Sequence, residues 1–597
     1  MKEWKTIRPG LKIITAAFFI VVTGYFVFNS ILQKKIRQQL KDISPALQIN
    51  FSAIHTNIFA SSVSFDSLDI NFTPYKNRPQ NKHHLYFPKA SVTGIHFLKF
   101  LFSKKLAANN LFLEEGTLQI DSFLIEKKDS VQQDILKEIK WPFKQLAIRS
   151  VVLKKIKIFD HAQTDQLIAA GNISFGGISI NKDGDTPAFE AVDLDLSELN
   201  YSFHDYKIHM PRLIVSSANK KLEIDSLEVI STGHIQAKVI VSAIRITGLD
   251  IIKSINQQIL VTKKIAMGEV KIEVNHYHIE ITNAELDNKE DLIQIRNINV
   301  IPQLDKYEFG KRLGHQADRF QAYISSIKII KPDIPKLFQQ KLYAEKIKIS
   351  ESKAYIFRDR RLPRPQKFIP LPGDYIRQLP VDIRVNSCEL ANATVEYEEY
   401  PKSGYGKTGI LRIEKFNSSL SPFINRPLPS DPSFITMNVE GSIMGSGTSH
   451  CIVMMPLQKN KPYHIKGEIE KLELTKLNSS SENLGKIRIK SGFLDFLFFD
   501  FTMTEQRSTG KIIGAYHHLI IQPFKKHKEK KDVADFASFM VRHFIIPLNK
   551  DASLPENKRT GFVNYKRDPT RMVSYYFLQS LLMGIKKSFK LGFLLPK

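Results

Sequence analysis

The residues best suited to chemistry are three histidine pairs, two carboxylate pairs and two cysteines. His276 and His278 sit two apart, so a strand would place both imidazoles on one face; His83-His84 and His517-His518 are adjacent. A metal site needs three or four ligands, and no Asp, Glu or Cys stands at a supporting spacing, so these histidines read as surface residues. Glu114-Glu115 and Glu398-Glu399 are neighbours in sequence; on a strand they point to opposite faces and cannot share an acid–base site. Cys388 and Cys451 are too few for a disulfide framework, and no Cys-x-x-Cys occurs. They could form one bridge, but their strand-like surroundings favour small buried thiols. The phosphate-binding, dinucleotide, zinc-protease and serine-hydrolase signatures are absent from the sequence. The expectation is a protein that is not an enzyme, with no cofactor, no metal and no catalytic residue.

The elements around these residues are mainly strands. From about Leu47 the apolar positions are read as recurring every second residue, as in Val63 to Phe72, Gly268 to Val274, and Lys346 to Ile349. Beta-branched residues and Phe fill those positions, while Asn, Asp and Gly punctuate them. Helical signals are few: Ile31 to Leu40, a stretch near Val131 to Lys140, Val533 to Pro547, and Met572 to Leu594. The last, rich in Phe, Tyr and Leu but interrupted by Lys586 and Lys587, fits either an interfacial amphipathic helix or a cap on the end of a sheet.

Ile13 to Leu32 carries no charge in 20 residues. As a helix this run covers about 30 Å, the thickness of a hydrocarbon core. Phe26, Phe28 and Asn29 stand where a signal-peptide cleavage site would need small residues, so an uncleaved anchor is expected, held by Ile13, Ile14, Phe18, Phe19, Ile20, Val21, Val22, Phe26 and Leu32. Basic residues flank both ends (Lys2, Lys5, Arg8 and Lys12; Lys34, Lys35, Arg37 and Lys41), so charge does not set the orientation. The short leading segment, residues 1–12, suits the cytoplasmic side, with the bulk exported.

An internal repeat alters the architecture expected. Leu106 to Ile120 is the template: an apolar stretch (Leu111, Leu113), a polar break with Gly116, and a second apolar stretch (Leu118, Ile120). Further copies begin at Leu146, Leu260, Leu342 and Ile383. The first and third are preceded by Val92-Thr-Gly94-Ile95 and Ile246-Thr-Gly248-Leu249. Each copy reads as a short antiparallel hairpin turning at a small residue, Gly116, Gly268 or Ala393. A lone hairpin cannot bury its apolar face. Stacked hairpins predict an elongated, twisted antiparallel sheet with one apolar and one polar face, the apolar face needing a second layer or lipid to cover it. A set of ordinary sandwich domains is the competing architecture.

Lys and Arg outnumber Asp and Glu by 86 to 60, a net +26, which permits attraction to nucleic acid, anionic lipid or acidic polysaccharide. No nucleic-acid recognition motif is present, and an exported domain would not meet DNA, so nucleic acid is not an expected partner.

The anchor, the alternating strands, the Val/Ile-Thr-Gly-Ile/Leu segments and the repeat, followed by Gly441 to Asn478 and by Ser491-Gly492, Ser508-Thr-Gly510-Lys and Tyr516-His-His-Leu519, resemble the AsmA-like proteins of Gram-negative envelopes, relatives of bridge-like lipid transfer proteins. The resemblance implies a β-groove in the periplasm, anchored once in the inner membrane, that holds or transfers phospholipid between inner and outer membranes. The organisation expected is a cytoplasmic segment at 1–12, an anchor at 13–32, a repeated β-groove at 33–430, an AsmA-like β region at 431–524, and a basic link with an aromatic tail at 525–597. Acyl chains would contact Leu111, Leu113, Leu118, Ile120, Val270, Ile272, Val274, Ile347, Ile349, Leu390 and Val395. Membrane lipids are the expected partners, with other envelope proteins a further possibility. The alternative function is assembly or scaffolding of outer-membrane proteins through free sheet edges.

Overall fold

A computed structural model describes residues 22–23, 25–38, 40, 47–72, 83–103, 105–120, 145–160, 166–181, 188–233, 236–257, 259–402, 407–485, 487–523 and 549–589. The protein is mainly β and divides into two compact units, Met1–Met267 and Gly268–Lys597. The segments at 131–140 and 533–547 expected to be helical lie outside the described residues.

The first unit contains β1 (Leu47–Asn50), β2 (Ala53–Asn57), β3 (Ser62–Phe72), β4 (His83–Thr93), β5 (Lys105–Glu114), β6 (Thr117–Ile120), β7 (Gln145–Asp160), β8 (Gln166–Asn181), β9 (Ala191–Phe203), β10 (Tyr206–Ser216), β11 (Lys221–Ser231), β12 (Ala237–Thr247) and β13 (Lys264–Met267). Helix α1 covers 25–38; α2 is Phe97–Ser103 and α3 is Ile251–Gln257. The strands pair in chain order: β1 and β2 on β3, then β4, then β5 and β6, and on through β13. All pairs are antiparallel except β5 and β6, which run parallel to β7.

The second unit contains β14 (Val270–Val274), β15 (Tyr277–Asp287), β16 (Leu292–Pro302), β17 (Asp318–Pro332), β18 (Lys341–Asp359), β19 (Asp382–Tyr400), β20 (Gly409–Ser421), β21 (Phe423–Ile424), β22 (Phe434–Ile443), β23 (Gly447–Pro456), β24 (Tyr463–Glu473), β25 (Ile487–Met503), β26 (Arg507–Pro523) and β27 (Thr560–Lys566). Its helices are α4 (Lys306–Leu313), α5 (Ile334–Leu337), α6 (Pro372–Arg377), α7 (Asn478–Asn483), α8 (Glu556–Arg559) and α9 (Val573–Ser588). Among the described strands pairing again follows chain order, except that β20 and β21 both lie beside β19 and β22 pairs with β20, and β18 runs parallel to β19.

The repeat copies are not hairpins, and this corrects the expected architecture. Copy one is β5 and β6, which both lie between β4 and β7 as one strand interrupted at Glu115-Gly116. Copy two is the single strand β7, while copies four and five are β18 and β19. The third falls on β13 and β14, one at the end of the first unit and one at the start of the second. Copies one and two pair in parallel, with Leu111 opposite Val151, Leu113 opposite Leu153 and Leu118 opposite Ile158. Copies four and five do the same, with Ile347 opposite Cys388 and Ile349 opposite Leu390. The likeness of the copies therefore reflects equivalent residues side by side in the sheet.

What resembled a turn inside copies one, two, four and five is a reversal of side-chain parity at a left-handed residue, Glu115, Lys155, Glu351 or Asn392. On β3 the apolar residues are Val63 and Phe65, then Leu68 and Ile70; on β16 they are Ile293 and Ile295, then Ile298 and Val300. The spacing is two, three, two. At the wider step Ser67 and Asn297 adopt left-handed backbone (φ 51° and 49°), which turns the rest of the strand over and keeps both halves apolar on one face. On β7, Ile148, Val151, Leu153 and Ile156 accordingly share one cluster despite their mixed parity. The left-handed conformation costs a non-glycine residue about 1–2 kcal/mol. Side chains across the pair take up the stray backbone groups: the Lys155 N–H donates to Asn172 Oδ1 (3.0 Å) and the Asn392 N–H to Asn417 Oδ1 (2.9 Å).

The Thr-Gly segments close one end of the first unit's sheet. Gly94 and Gly248 turn the chain at φ 70° and 66°, and a Cβ on Gly94 would lie 2.3 Å from Asn109 Nδ2. The next apolar residues, Ile95 and Leu249, are then buried, and α2 and α3 follow. Ile95 and Phe97 pack with Leu32 of α1, Ile54 and Val63; Leu249 and Ile251 pack with Val192 and Val215.

The C-terminal strands are covered. The connection from β18 to β19 runs over them, where the Gly373 N–H donates to Tyr463 Oη (2.9 Å) and Arg377 Nη1 to the Leu457 carbonyl (3.1 Å). Helix α9 packs Tyr576, Ser580, Gly584 and Ser588 onto β26 and β27. Those small residues allow close approach: a Cβ on Gly561 would lie 2.0 Å from the Gly584 carbonyl oxygen. Of the two roles open to Met572–Leu594, the described part thus caps the sheet. Leu494, Leu497, Phe499, Phe501 and Met503 of β25 are all at most 4% exposed beneath this cover.

Candidate functional site

The expected contact residues occupy apolar rows across the strands. Leu111 and Leu113 stand opposite Val92 and Ala90, and Leu118 opposite Leu85; all but Val92 share one cluster. Ile120 lies at the strand end opposite Asp160. Val270, Ile272 and Val274 face Ile281, Ile279 and Tyr277. Ile347 and Ile349 face Ile329 and Ile327 on one side and Cys388 and Leu390 on the other; Val395 faces Ala354 and Ile413. Leu113 and Val270 are buried, and the remaining nine are only partly buried.

The same pattern runs through β9 to β12, which lie outside the repeat template. Leu222, Ile224, Leu227 and Val229 of β11 pair with Ile246, Ile244, Val241 and Val239 of β12. Leu213 and Val215 of β10 extend the rows to Leu196 and Leu194 of β9. The two-three-two spacing was the signal that could have found them. Val215, Val241 and Ile244 are buried, but Ile208, Met210, Leu213, Leu222, Ile224, Leu227, Val229 and Val239 all remain partly exposed. An apolar side chain under a second layer is buried completely, as on β25, whereas the described residues leave these rows partly exposed. Among the described helices of this unit, α2 touches β5 and α3 touches β9.

The opposite face is built for water. Arg212 forks onto Asp195 (3.0 and 3.1 Å), which raises the guanidinium pKa through the hydrogen bond and the charge. Arg412 holds Glu396 from the neighbouring strand, and Lys346 holds Glu389. These pairs are half exposed and fix register more than stability. Burial works to raise the Glu398 carboxyl, but hydrogen bonds from Thr408, Tyr355 and Lys306 outweigh it and hold it low. Glu399 bonds Arg360 and Tyr397 instead, so the adjacent carboxylates have separate partners.

The histidines are likewise dispersed. His84 lies between Asp69 (3.0 Å) and Gln119 (2.9 Å), His278 meets Glu280 (3.0 Å), His276 stacks edge-on against Phe309, and His517 meets Asp495 (2.9 Å). Among the described residues no group of three possible metal ligands converges. Cys388 and Cys451 are free thiols on β19 and β23, and burial pushes both up to about 11.

Of the anchor residues, Ile13, Ile14, Phe18, Phe19, Ile20 and Val21 lie outside the described residues. Val22 and Phe26 are helical, with Phe26 64% exposed, whereas Leu32 is 1% exposed and packs on the sheet. Among the described residues no helix is long and apolar enough to cross a membrane. No family model matches the sequence, and no curated protein matches it.

Proposed function

We propose that this chain is a non-enzymatic, AsmA-like envelope protein that holds or transfers phospholipid along the apolar face of its sheet. One observation carries the reading: the rows of Leu, Ile and Val on β10 to β12 are partly exposed, while residues in the same pattern on β25 are sealed. Burying such surface is worth about 25 cal/mol per Å², so acyl chains have a strong reason to occupy it and water has none. The opposite face, laced with Arg–carboxylate pairs, suits solvent. The uncharged run Ile13 to Leu32 supplies an inner-membrane anchor in this reading, with the sheet in the periplasm between inner and outer membranes.

The alternative, templating of outer-membrane strands on a free edge, has less support at the C-terminal end. There the Asn564 N–H points at Met583 Sδ (3.4 Å) of α9, so the helix occupies the outer edge of β27. The test is native mass spectrometry of full-length protein extracted in mild detergent. Retained phospholipid supports the proposal, and a protein that never carries lipid under these conditions defeats it.

A further inference from the structure

The β2–β3 hairpin packs against α1. Phe28, Leu32 and Ile36 of α1 pack with Ile54, Ile58 and Val63 of the hairpin, and Thr56 hydrogen-bonds Asn29. At the hairpin tip Phe59 is 80% exposed, and its ring stacks on Tyr25 with centroids 5.2 Å apart. Tyr25 in turn meets Phe26 edge-on at 5.6 Å. The outward side of α1 changes character along its length: Phe26, Val27 and Ile31 are exposed first, then Lys34, Lys35 and Arg37.

That order, apolar and then basic within about two helical turns, is what a helix shows where it leaves hydrocarbon and enters the headgroup layer. The sequence between Ile13 and this helix carries no charge. Phe59, stacked on Tyr25, sits on the hydrocarbon side of the change with its ring open to the outside. Aromatic rings at such a boundary gain apolar contact without desolvating a charge.

We infer that the β2–β3 tip is a second membrane-contacting element, with Phe59 inserted beside α1 into the acyl-chain margin of a phospholipid bilayer. Lys34, Lys35 and Arg37 face anionic headgroups just above. This contact would set one end of the apolar sheet face, where Ile54, Val63 and Ile95 cluster, against the bilayer; that purpose rests on the lipid-handling reading, but the contact itself does not.

The experiment uses the full chain in vesicles of phosphatidylcholine and phosphatidylglycerol. The native tryptophans, Trp4 and Trp141, are replaced by Phe. Phe59→Trp is compared with Asp205→Trp at the β9–β10 turn, the opposite end of the strands. Phospholipid brominated near the top of its acyl chains should quench Phe59→Trp by at least about half and leave Asp205→Trp unchanged. The inference is overturned if bromine leaves Phe59→Trp unquenched while aqueous acrylamide quenches both variants alike. Both outcomes require a folded protein, checked by unchanged circular dichroism; Phe59 is exposed enough for substitution to be tolerated. If bromine quenches Phe59→Trp but no lipid is found on the sheet, the contact stands and the transfer reading falls.

Discussion

Truncating one leucine on each kind of surface separates a covered sheet from an uncovered one. Leu497 on β25 is 2% exposed, enclosed by Gly514 and Phe589 below α9. Leu497→Ala removes three carbons and leaves a cavity, a loss of about 2–5 kcal/mol. Leu227, on β11, is only partly buried and pairs with Val241. Its three carbons carry about 0.8 kcal/mol each when fully buried; partial exposure and the lack of an enclosed cavity reduce Leu227→Ala to about 1 kcal/mol in lipid-free protein. The two units need separate readouts because one transition cannot be assumed for a chain of this size. Urea titration followed by hydrogen exchange on peptides from each unit provides them. Phospholipid should raise the cost of Leu227→Ala, since the deleted carbons would otherwise pack against acyl chains, and leave that of Leu497→Ala unchanged. A lipid-free loss of about 3 kcal/mol or more at Leu227 would mean that the face is covered and the reasoning is wrong.

Three other outcomes follow from particular contacts. The Arg567 side chain is fully buried, pairing with Glu505 and bonding the Ile369 carbonyl, so Arg567→Ala should destabilise the second unit by about 3 kcal/mol and speed hydrogen exchange across residues 363–377. The hydrogen bond to Asp69 raises the His84 pKa, helped by Gln119 and opposed by burial. The protonated pair therefore stabilises fully below the unfolded histidine value of about 6.5, and the contribution disappears as pH rises through the higher folded value; the cost of His84→Gln, measured by thermal melting of the first unit, should shrink as pH increases. Burial pushes Cys388 and Cys451 up to about 11, so iodoacetamide should label neither thiol appreciably in folded protein at neutral pH and both after unfolding.

The strands and their apolar face were legible in the sequence because alternation has one structural solution over most of each segment. The repeat was legible too, but its meaning was not. Gly116 and Ala393 looked like turns, since small residues between apolar stretches ordinarily reverse a chain. Here a single left-handed residue reverses only the side-chain parity, and the backbone continues within the same strand pairing. A strict period of two would have put half of Val63, Phe65, Leu68 and Ile70 on the wrong face. Most short helices were missed because four to eight residues hold too little periodicity, although Asp305, whose carboxylate accepts from the Tyr307 and Glu308 amides, and Gly314 at φ 73° marked the ends of α4. The cover over the C-terminal strands was not legible, since Arg364 reaching Asp568 and Gly373 reaching Tyr463 depend on distant parts of the chain meeting.

The most direct test of an open, lipid-bearing sheet face is site-specific crosslinking in living cells. A photoreactive phenylalanine analogue is placed at Ile224, Val229 or Ile349 on partly exposed rows, and at Leu497 and Arg212 as sealed and solvent-facing controls. Illumination should attach phospholipid at the first three positions and at neither control. Labelling confined to protein at all five positions, or equal lipid labelling at Arg212, would contradict the account.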